Sequence, residues 1–288
     1  MAADGLFDDD ALDYLAERVA LSASDLSRSE LSQLSREQSY RELTLLDSVT
    51  ASSRPPADRG ESTADGGWKW KGLELDPEAN RVADQALETR RTAEGRDAEG
   101  NYAETGITPA MRQVEAELEH GTLVPDTERF ALKSPDRFKE KLAKLISLEP
   151  DSSPAELAER IHDGLRYTLT FEVQWYADGV RQAEKLLVEG GFELCGRKPS
   201  WAGAEYKGIN SQWRDKTGGP LFEIQFHTPD SWDAKQTTHD SYEKINHPAT
   251  PPQERVRLIA YQREVMASVR IPPGGLDFEP YRTGGGRA

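Results

Sequence analysis

Residues Phe222-Glu223-Ile224-Gln225-Phe226-His227-Thr228 alternate strictly between apolar and polar side chains. Successive side chains on a strand point to opposite faces. The run therefore predicts a strand with Phe222, Ile224 and Phe226 on one face and Glu223, Gln225 and His227 on the other. Helical folding would scatter both sets around the axis. Three polar groups in line on a central strand need either solvent or a ligand-lined cleft. This requirement makes the run the starting point for both fold and function.

The flanking sequence extends the pattern. Leu165–Trp175 is rich in Tyr, Thr, Phe and Val and predicts a second strand. Phe192–Cys195 predicts a short one. Tyr206–Trp213 and Leu221–Phe226, joined through Thr217-Gly218-Gly219, predict a hairpin. Between them lie helical patterns: Ser134-Pro135 and Ser153-Pro154 are helix starts, and Gly179–Glu189, Ser231–Lys244 and Gln253–Val269 are amphipathic or helix-rich stretches. A further helix is expected from Thr108-Pro109 to a stop at Gly121. Helices alternating with strands that include a hairpin predict an α+β fold, a mixed β-sheet flanked by helices.

Charge divides the chain. Of 288 residues, 51 are acidic and 36 basic, a net charge of −15. Through Gly106 there are 23 acidic and 12 basic residues, leaving 28 and 24 beyond. Most aromatic residues also lie beyond Gly106. The reading is an acidic, partly disordered helical region at 1–106, a core-capable domain at 107–270 and a flexible tail at 271–288. Within the first region, Leu12–Leu21, Leu31–Leu46 and Pro77–Arg91 carry helical patterns, and 48–67 reads as a linker. The overall acidity argues against bulk nucleic-acid binding. No apolar run is long enough to span a membrane, and the acidic start does not form a secretory signal, so a cytoplasmic location is expected, with delivery into another cell left open. The one cysteine, Cys195, excludes an internal disulfide.

Four clusters could carry chemistry. Lys133, Arg137 and Lys141 follow i, i+4, i+8 spacing, which puts three cations on one helix face suited to a polyphosphate or to solvent. Asp163, just ahead of a strand and followed by Arg166, could hold Mg²⁺, cap a helix or sit in a loop. Tyr206-Lys207-Gly208-Ile209-Asn210 sets an aromatic ring beside a glycine, as base stacking needs and as an edge strand also shows. Glu223 and Gln225 lie on the polar face of the alternating strand, with His239 and Tyr242 on the helix after it. A carboxylate at Glu223 facing Asp163 would complete a two-carboxylate metal site.

Taken in order, these clusters resemble the synthetase domain of RelA/SpoT-type alarmone synthetases, over roughly Thr127–Arg255. Glu223-Ile224-Gln225-Phe226-His227-Thr228 is similar to the family's Glu-Ile-Gln-Ile-Arg-Thr strand. His239 follows Thr228 by eleven residues, as in the family, and Tyr242 follows. Tyr206 to Asn210 is similar to its Tyr-x-x-x-His loop. The resemblance implies a nucleotidyltransferase-like fold and Mg²⁺-dependent transfer of pyrophosphate from ATP to the 3′-hydroxyl of a purine nucleotide. By it, Lys133, Arg137, Lys141 and Arg166 hold ATP phosphates, and Asp163 and Glu223 bind Mg²⁺ as the catalytic carboxylates. Tyr206, Asn210, Gln225 and His239 line the acceptor site. Asn210, His227 and Thr238 depart from the family's His, Arg and Glu, which leaves guanine, adenine or tRNA acceptors open. No hydrolase domain accompanies the synthetase-like stretch. The architecture resembles toxic small members, with an antitoxin or delivery partner expected at the N-terminal region. An ADP-ribosyl- or nucleotidyl-transferase toxin, and a catalytically degenerate nucleotide-binding adaptor, remain as alternatives.

Overall fold

A computed structural model describes residues 59–96, 103–125, 127–246 and 250–283. The helical patterns at Leu12–Leu21 and Leu31–Leu46 lie outside them. The described residues form two compact units. The larger takes 59–202, Gly208–Pro229 and 271–283, and the smaller takes Gly203–Lys207 and Asp230–Arg270.

The larger unit opens with a three-stranded antiparallel sheet, β1 (Glu61–Ser62), β2 (Trp68–Trp70) and β3 (Leu73–Leu75). Helix α1 (Pro77–Glu94) follows. Asp76 caps it by accepting the Ala79 N–H at 2.7 Å, Pro77 occupies the first turn, and Gly95 ends it at φ 93°. Next come α2 (Ile107–Glu117), β4 (Gly121–Leu123), α3 (Thr127–Ala131), α4 (Pro135–Leu148) and α5 (Pro154–Glu159). A single 3-10 turn, His162–Gly164, leads into β5 (Arg166–Phe171). Helix α6 (Tyr176–Glu189), β6 (Phe192–Pro199), β7 (Ile209–Asp215), β8 (Phe222–His227) and β9 (Tyr281–Arg282) complete the unit.

The main sheet has six strands in the order β4-β5-β8-β7-β6-β9. Only β5 and β8 run parallel, with Arg166 opposite Glu223. The predicted hairpin is β7–β8, pairing Trp213 with Phe222 and Asn210 with Gln225. Its turn contains Gly218 and Gly219 at φ 111° and 115°, values that favour glycine. The apolar faces meet as expected. Tyr167, Leu169, Phe171, Phe222, Ile224 and Phe226 are buried. Phe222 makes edge contacts with Tyr167 and Phe192. Gly179 of α6 sits against the Phe171 ring, where a Cβ would approach to 2.2 Å.

Several expectations are corrected. The compositional division at residue 106 does not follow the packing. Trp68, Trp70, Leu75, Ala79, Ala83 and Leu87 share one core with Phe138, Leu142, Ala143, Leu157, Ala158 and Ile161. A few large apolar side chains in register suffice for this, and an average over 106 residues dilutes them. The proposed linker at 48–67 includes β1, paired with β2. The proposed tail includes β9, which pairs Gly196 and Arg197 of β6. Helix α2 stops at Glu117, because Leu118 turns extended, and Gly121 instead begins β4 against the Phe171 ring. Strand β6 runs on to Pro199 because β7 pairs with its second half.

The smaller unit carries α7 (Pro229–Ile245, apart from its first residue) and α8 (Pro252–Ala267). Ile245 and Ile259 form its apolar contact, with Leu258 beside them. Glu205 ties the Gly203–Lys207 segment to α8, since its carboxylate accepts Arg263 Nε at 2.7 Å and its carbonyl accepts Gln262 Nε2 at 2.8 Å. No helix among the described residues is long and apolar enough to cross a membrane.

Candidate active site

The parallel pairing of β5 with β8 creates the site. Glu223 N–H donates to Leu165 O at 2.9 Å, so the start of β8 lies beside the turn that carries Asp163. The backbone N–H of Lys133 donates to Gly164 O, also at 2.9 Å, and Leu132 bridges Leu165. Three segments distant in sequence are thereby fixed within one backbone network.

Side chains complete it. Lys133 Nζ lies 3.0 Å from Asp163 Oδ2, and Lys141 Nζ lies 2.9 Å from Asp163 Oδ1. Each carboxylate oxygen thus has its own ammonium. His162 Nε2 is 3.3 Å from Glu223 Oε2, and Gln225 Nε2 donates to Glu223 Oε1 at 2.8 Å. Burial alone would raise the Asp163 carboxyl. Lys133, then Lys141, His162 and Arg166 overcome it and hold Asp163 well below the ordinary carboxylate range. Burial also works to raise Glu223. Its contact with His162 outweighs this, aided by Arg166 and opposed by the Asp163 charge, and the pKa is lowered. Lys133 is itself lowered, first by burial and then by the neighbouring cations Lys141 and Arg166, with Asp163 opposing. These mutual influences put Asp163, Glu223, Lys133, Lys141, His162 and Arg166 in one electrostatic cluster.

The sequence-predicted residues divide accordingly. Asp163, Glu223, Lys133, Lys141, Arg166 and Gln225 come together. Asn210 sits on β7 directly opposite Gln225. Lys133 does so without belonging to the helix the spacing suggested, since α4 begins at Pro135 after the N-terminal residue Ser134. Its backbone bond to Gly164, and not helical periodicity, brings it in. Arg137 is engaged differently. It pairs with Glu140 Oε2 at 3.1 Å and lies 5.4 Å above the Trp70 ring. Tyr206 and His239 belong to the smaller unit, where His239 Nε2 is 3.6 Å from Glu243 Oε1. The carboxylate geometry rests on the larger unit alone.

The polar face of β8 is not solvated. Glu223 and Gln225 are each 5% exposed and His227 is fully buried. Their polar groups are satisfied inside the protein, as burial requires. Sequence reasoning missed His162, although it immediately precedes Asp163, because its contact with Glu223 arises only from the parallel register. It also missed Arg90, which is buried on α1.

Two carboxylates beside three cations suit a Mg²⁺–nucleotide. Mg²⁺ takes one or two carboxylates and completes its shell with water and phosphate. The hard oxygens of Asp163 and Glu223 fit that demand. No group of three His, Cys, Asp or Glu suited to a metal occurs among the described residues.

The chain matches no family model and no curated protein. Among solved structures it is similar to small alarmone synthetase 2 from Bacillus subtilis, at 14% identity over 66% of this chain and 89% of that one, with a TM-score of 0.39. Small alarmone synthetase 1 from the same organism is similar at 14% identity, covering 65% and 88%, with a TM-score of 0.37. A GTP pyrophosphokinase family protein from Streptococcus pneumoniae is similar at 15% identity, covering 70% and 97%, with a TM-score of 0.36.

Proposed function

We propose that the protein transfers the β,γ-pyrophosphoryl group of ATP to the 3′-hydroxyl of a purine nucleotide. The observation that carries this reading is the juxtaposition of Asp163 and Glu223 at neighbouring starts of parallel strands, with Lys133 and Lys141 both on Asp163. In the transfer, a bond forms between the acceptor 3′-oxygen and the β-phosphorus. The bond from that phosphorus to the bridging oxygen of the α-phosphate breaks, and AMP leaves with the electron pair. The hydroxyl proton passes to Glu223, whose lowered pKa keeps it ionised at neutral pH. Gln225 holds one Glu223 oxygen and leaves the carboxylate with a fixed orientation.

Lys133 and Lys141 exchange their carboxylate partner for phosphate oxygens as the nucleotide enters, and Arg166 adds a third cation. Asp163 and Glu223 would then hold Mg²⁺, which supplies neutralisation of the charge developing on the phosphates. Such chemistry needs mostly positioning and charge stabilisation. Asn210 beside Gln225 is suited to the acceptor. Tyr206 and His239 are assigned to it from the sequence resemblance. A growth-inhibiting role, with an antitoxin or delivery partner at the N-terminal region, is part of the same reading.

The test uses γ-labelled ATP with Mg²⁺ and a panel of GDP, GTP, AMP, ADP, ATP and tRNA. The expected result is a labelled acceptor with stoichiometric AMP, lost in Asp163→Asn and Glu223→Gln. Label transfer by Glu223→Gln at the wild-type rate would refute the assignment. Adenylate or ADP-ribose left on a target would favour a different transferase, and nucleotide binding without turnover would favour an adaptor.

A further inference from the structure

Arg90 lies on α1, in the acidic first third, yet its guanidinium reaches the turn that carries Asp163. The side chain is buried, with the residue 3% exposed. Nη2 donates to Ala158 O and to Ile161 O, each at 3.0 Å, and Nη1 donates to Ala86 O of its own helix at 3.0 Å. Ala158 is in the last turn of α5, and its carbonyl also accepts Ile161 N–H at 3.3 Å. Ile161 immediately precedes the His162–Gly164 turn, and its carbonyl also accepts Gly164 N–H at 3.3 Å. One guanidinium fork therefore ties the end of α5 to the first residue before the turn.

The fit is close on the other side too. The guanidinium centre lies 5.0 Å from the Phe138 ring centroid. A Cβ on Gly164 would fall 2.6 Å from Arg90 Nε and 2.7 Å from its Cδ. Glycine at position 164 is thus what lets Arg90 lie against the backbone beside Asp163. Lys133 N–H holds the Gly164 end of the turn at 2.9 Å, whereas the Ile161 end is held by the 3.3 Å contact from Gly164 N–H and by Arg90. A planar fork with several fixed donors fixes that end in a way a flexible ammonium does not.

We infer that Arg90 is a positioning residue that holds the His162-Asp163-Gly164 turn in register with Glu223. Its effect on turnover rests on the proposed pyrophosphoryl transfer, whereas its effect on the turn does not. Burial lowers the guanidinium to about 10, so it remains cationic at neutral pH.

The experiment compares the full chain with Arg90→Lys, which keeps charge and loses the fork, and with Gly164→Ala, which displaces the fork from the other side. Hydrogen exchange is followed at the amides of 158–165 and of β8, together with AMP release against ATP and Mg²⁺. The expected result is faster exchange confined to 158–165. In turnover, kcat falls about 10- to 100-fold, as misplacement of a reacting group by a fraction of an ångström to an ångström does. The Mg²⁺ concentration for half-activity rises, and the ATP KM at saturating Mg²⁺ stays within about 3-fold, a change of under 1 kcal/mol. Unchanged exchange at 158–165, exchange raised uniformly across the unit, or wild-type kcat with a loosened turn would overturn the inference. If the wild type itself releases no AMP, the transfer reading fails, and exchange alone decides whether Arg90 holds the turn.

Discussion

A chain beginning at Ile107 would retain every residue assigned to chemistry, from Lys133 to His239. It is nevertheless expected to lose most of its stability. The deletion removes Trp68, Trp70, Leu75, Ala79, Ala83 and Leu87 from the core they share with α4 and α5. On the side that remains, Phe138, Leu142, Leu157 and Ile161 are fully buried in the intact protein. Complete exposure of one such side chain costs about 1.5–3 kcal/mol. The rest of α4 and α5 still covers part of each, so about half of that applies, giving about 3–6 kcal/mol for the four. Folded domains are stable by only about 5–15 kcal/mol. The truncated chain therefore sits at or near the limit of folding before the lost Arg90 bonds are considered.

The assay is urea unfolding followed by far-ultraviolet circular dichroism, on the full chain and on 107–288. The full chain should show a cooperative transition. The truncated chain should show a midpoint lowered by at least about 1.5 M, taking a urea dependence of about 2 kcal/mol per molar, or no cooperative transition. A truncated chain whose midpoint matches the full chain would refute the reasoning. It would mean that the acidic first third is an appendage to the catalytic unit, as its composition alone suggested.

Two further outcomes follow from the charges. Asp163 is held below its unfolded value, so its contribution is present above about pH 4 and fades as pH falls through the lowered native value; Asp163→Asn should be less stable at pH 7 by about 3–5 kcal/mol, the cost of unpairing a buried ion pair, and should lose less stability than wild type between pH 5 and pH 2 in urea unfolding, parallel curves refuting this. Lys141→Met should raise the ATP KM about 10-fold, a loss of one charge-assisted contact, whereas Lys144→Met, whose ammonium is 2.9 Å from Glu140, should change it less than 3-fold in steady-state assays of AMP release.

Much of the scaffold was legible because it is written in local periodicity. The strand expected at Leu221–Phe226 lies within one residue of β8 at each end, and the alternation runs through all of Phe222–His227. Ser134-Pro135 and Ser153-Pro154 marked true helix starts, the second through a capping box in which Ser153 and Glu156 bond reciprocally. What escaped was non-local. Strand β6 extends because of its partners, and Trp68 and Trp70 matter because α4 lies against them. His162 reaches Glu223 only through parallel pairing across 61 positions of sequence. Arg137 is different, since the corrective signal was local. Glu140 stands three residues on, within reach on the same helix face, and an i, i+4, i+8 count of cations passes over it.

The buried polar face of β8 can be reconciled with the proposed chemistry. Such a face must be satisfied when no substrate is present, or its desolvation would destabilise the fold. Here the satisfaction is internal: lysines cover Asp163, while His162 and Gln225 cover Glu223. The lysine pairs on Asp163 are ones that the proposed nucleotide with its metal could replace like for like. Phosphate oxygens can take the ammonium groups, and a divalent cation can take the carboxylate oxygens. Desolvation of these charges is already met by folding, so entry of the proposed substrate would swap partners without newly burying unpaired charge. Lys133, Lys141 and Arg166 set three positive charges against the two negative charges of Asp163 and Glu223, so these five side chains keep one surplus positive charge. Under the proposed function, that surplus would favour an anionic Mg²⁺–nucleotide within a protein whose overall charge of −15 would otherwise repel it.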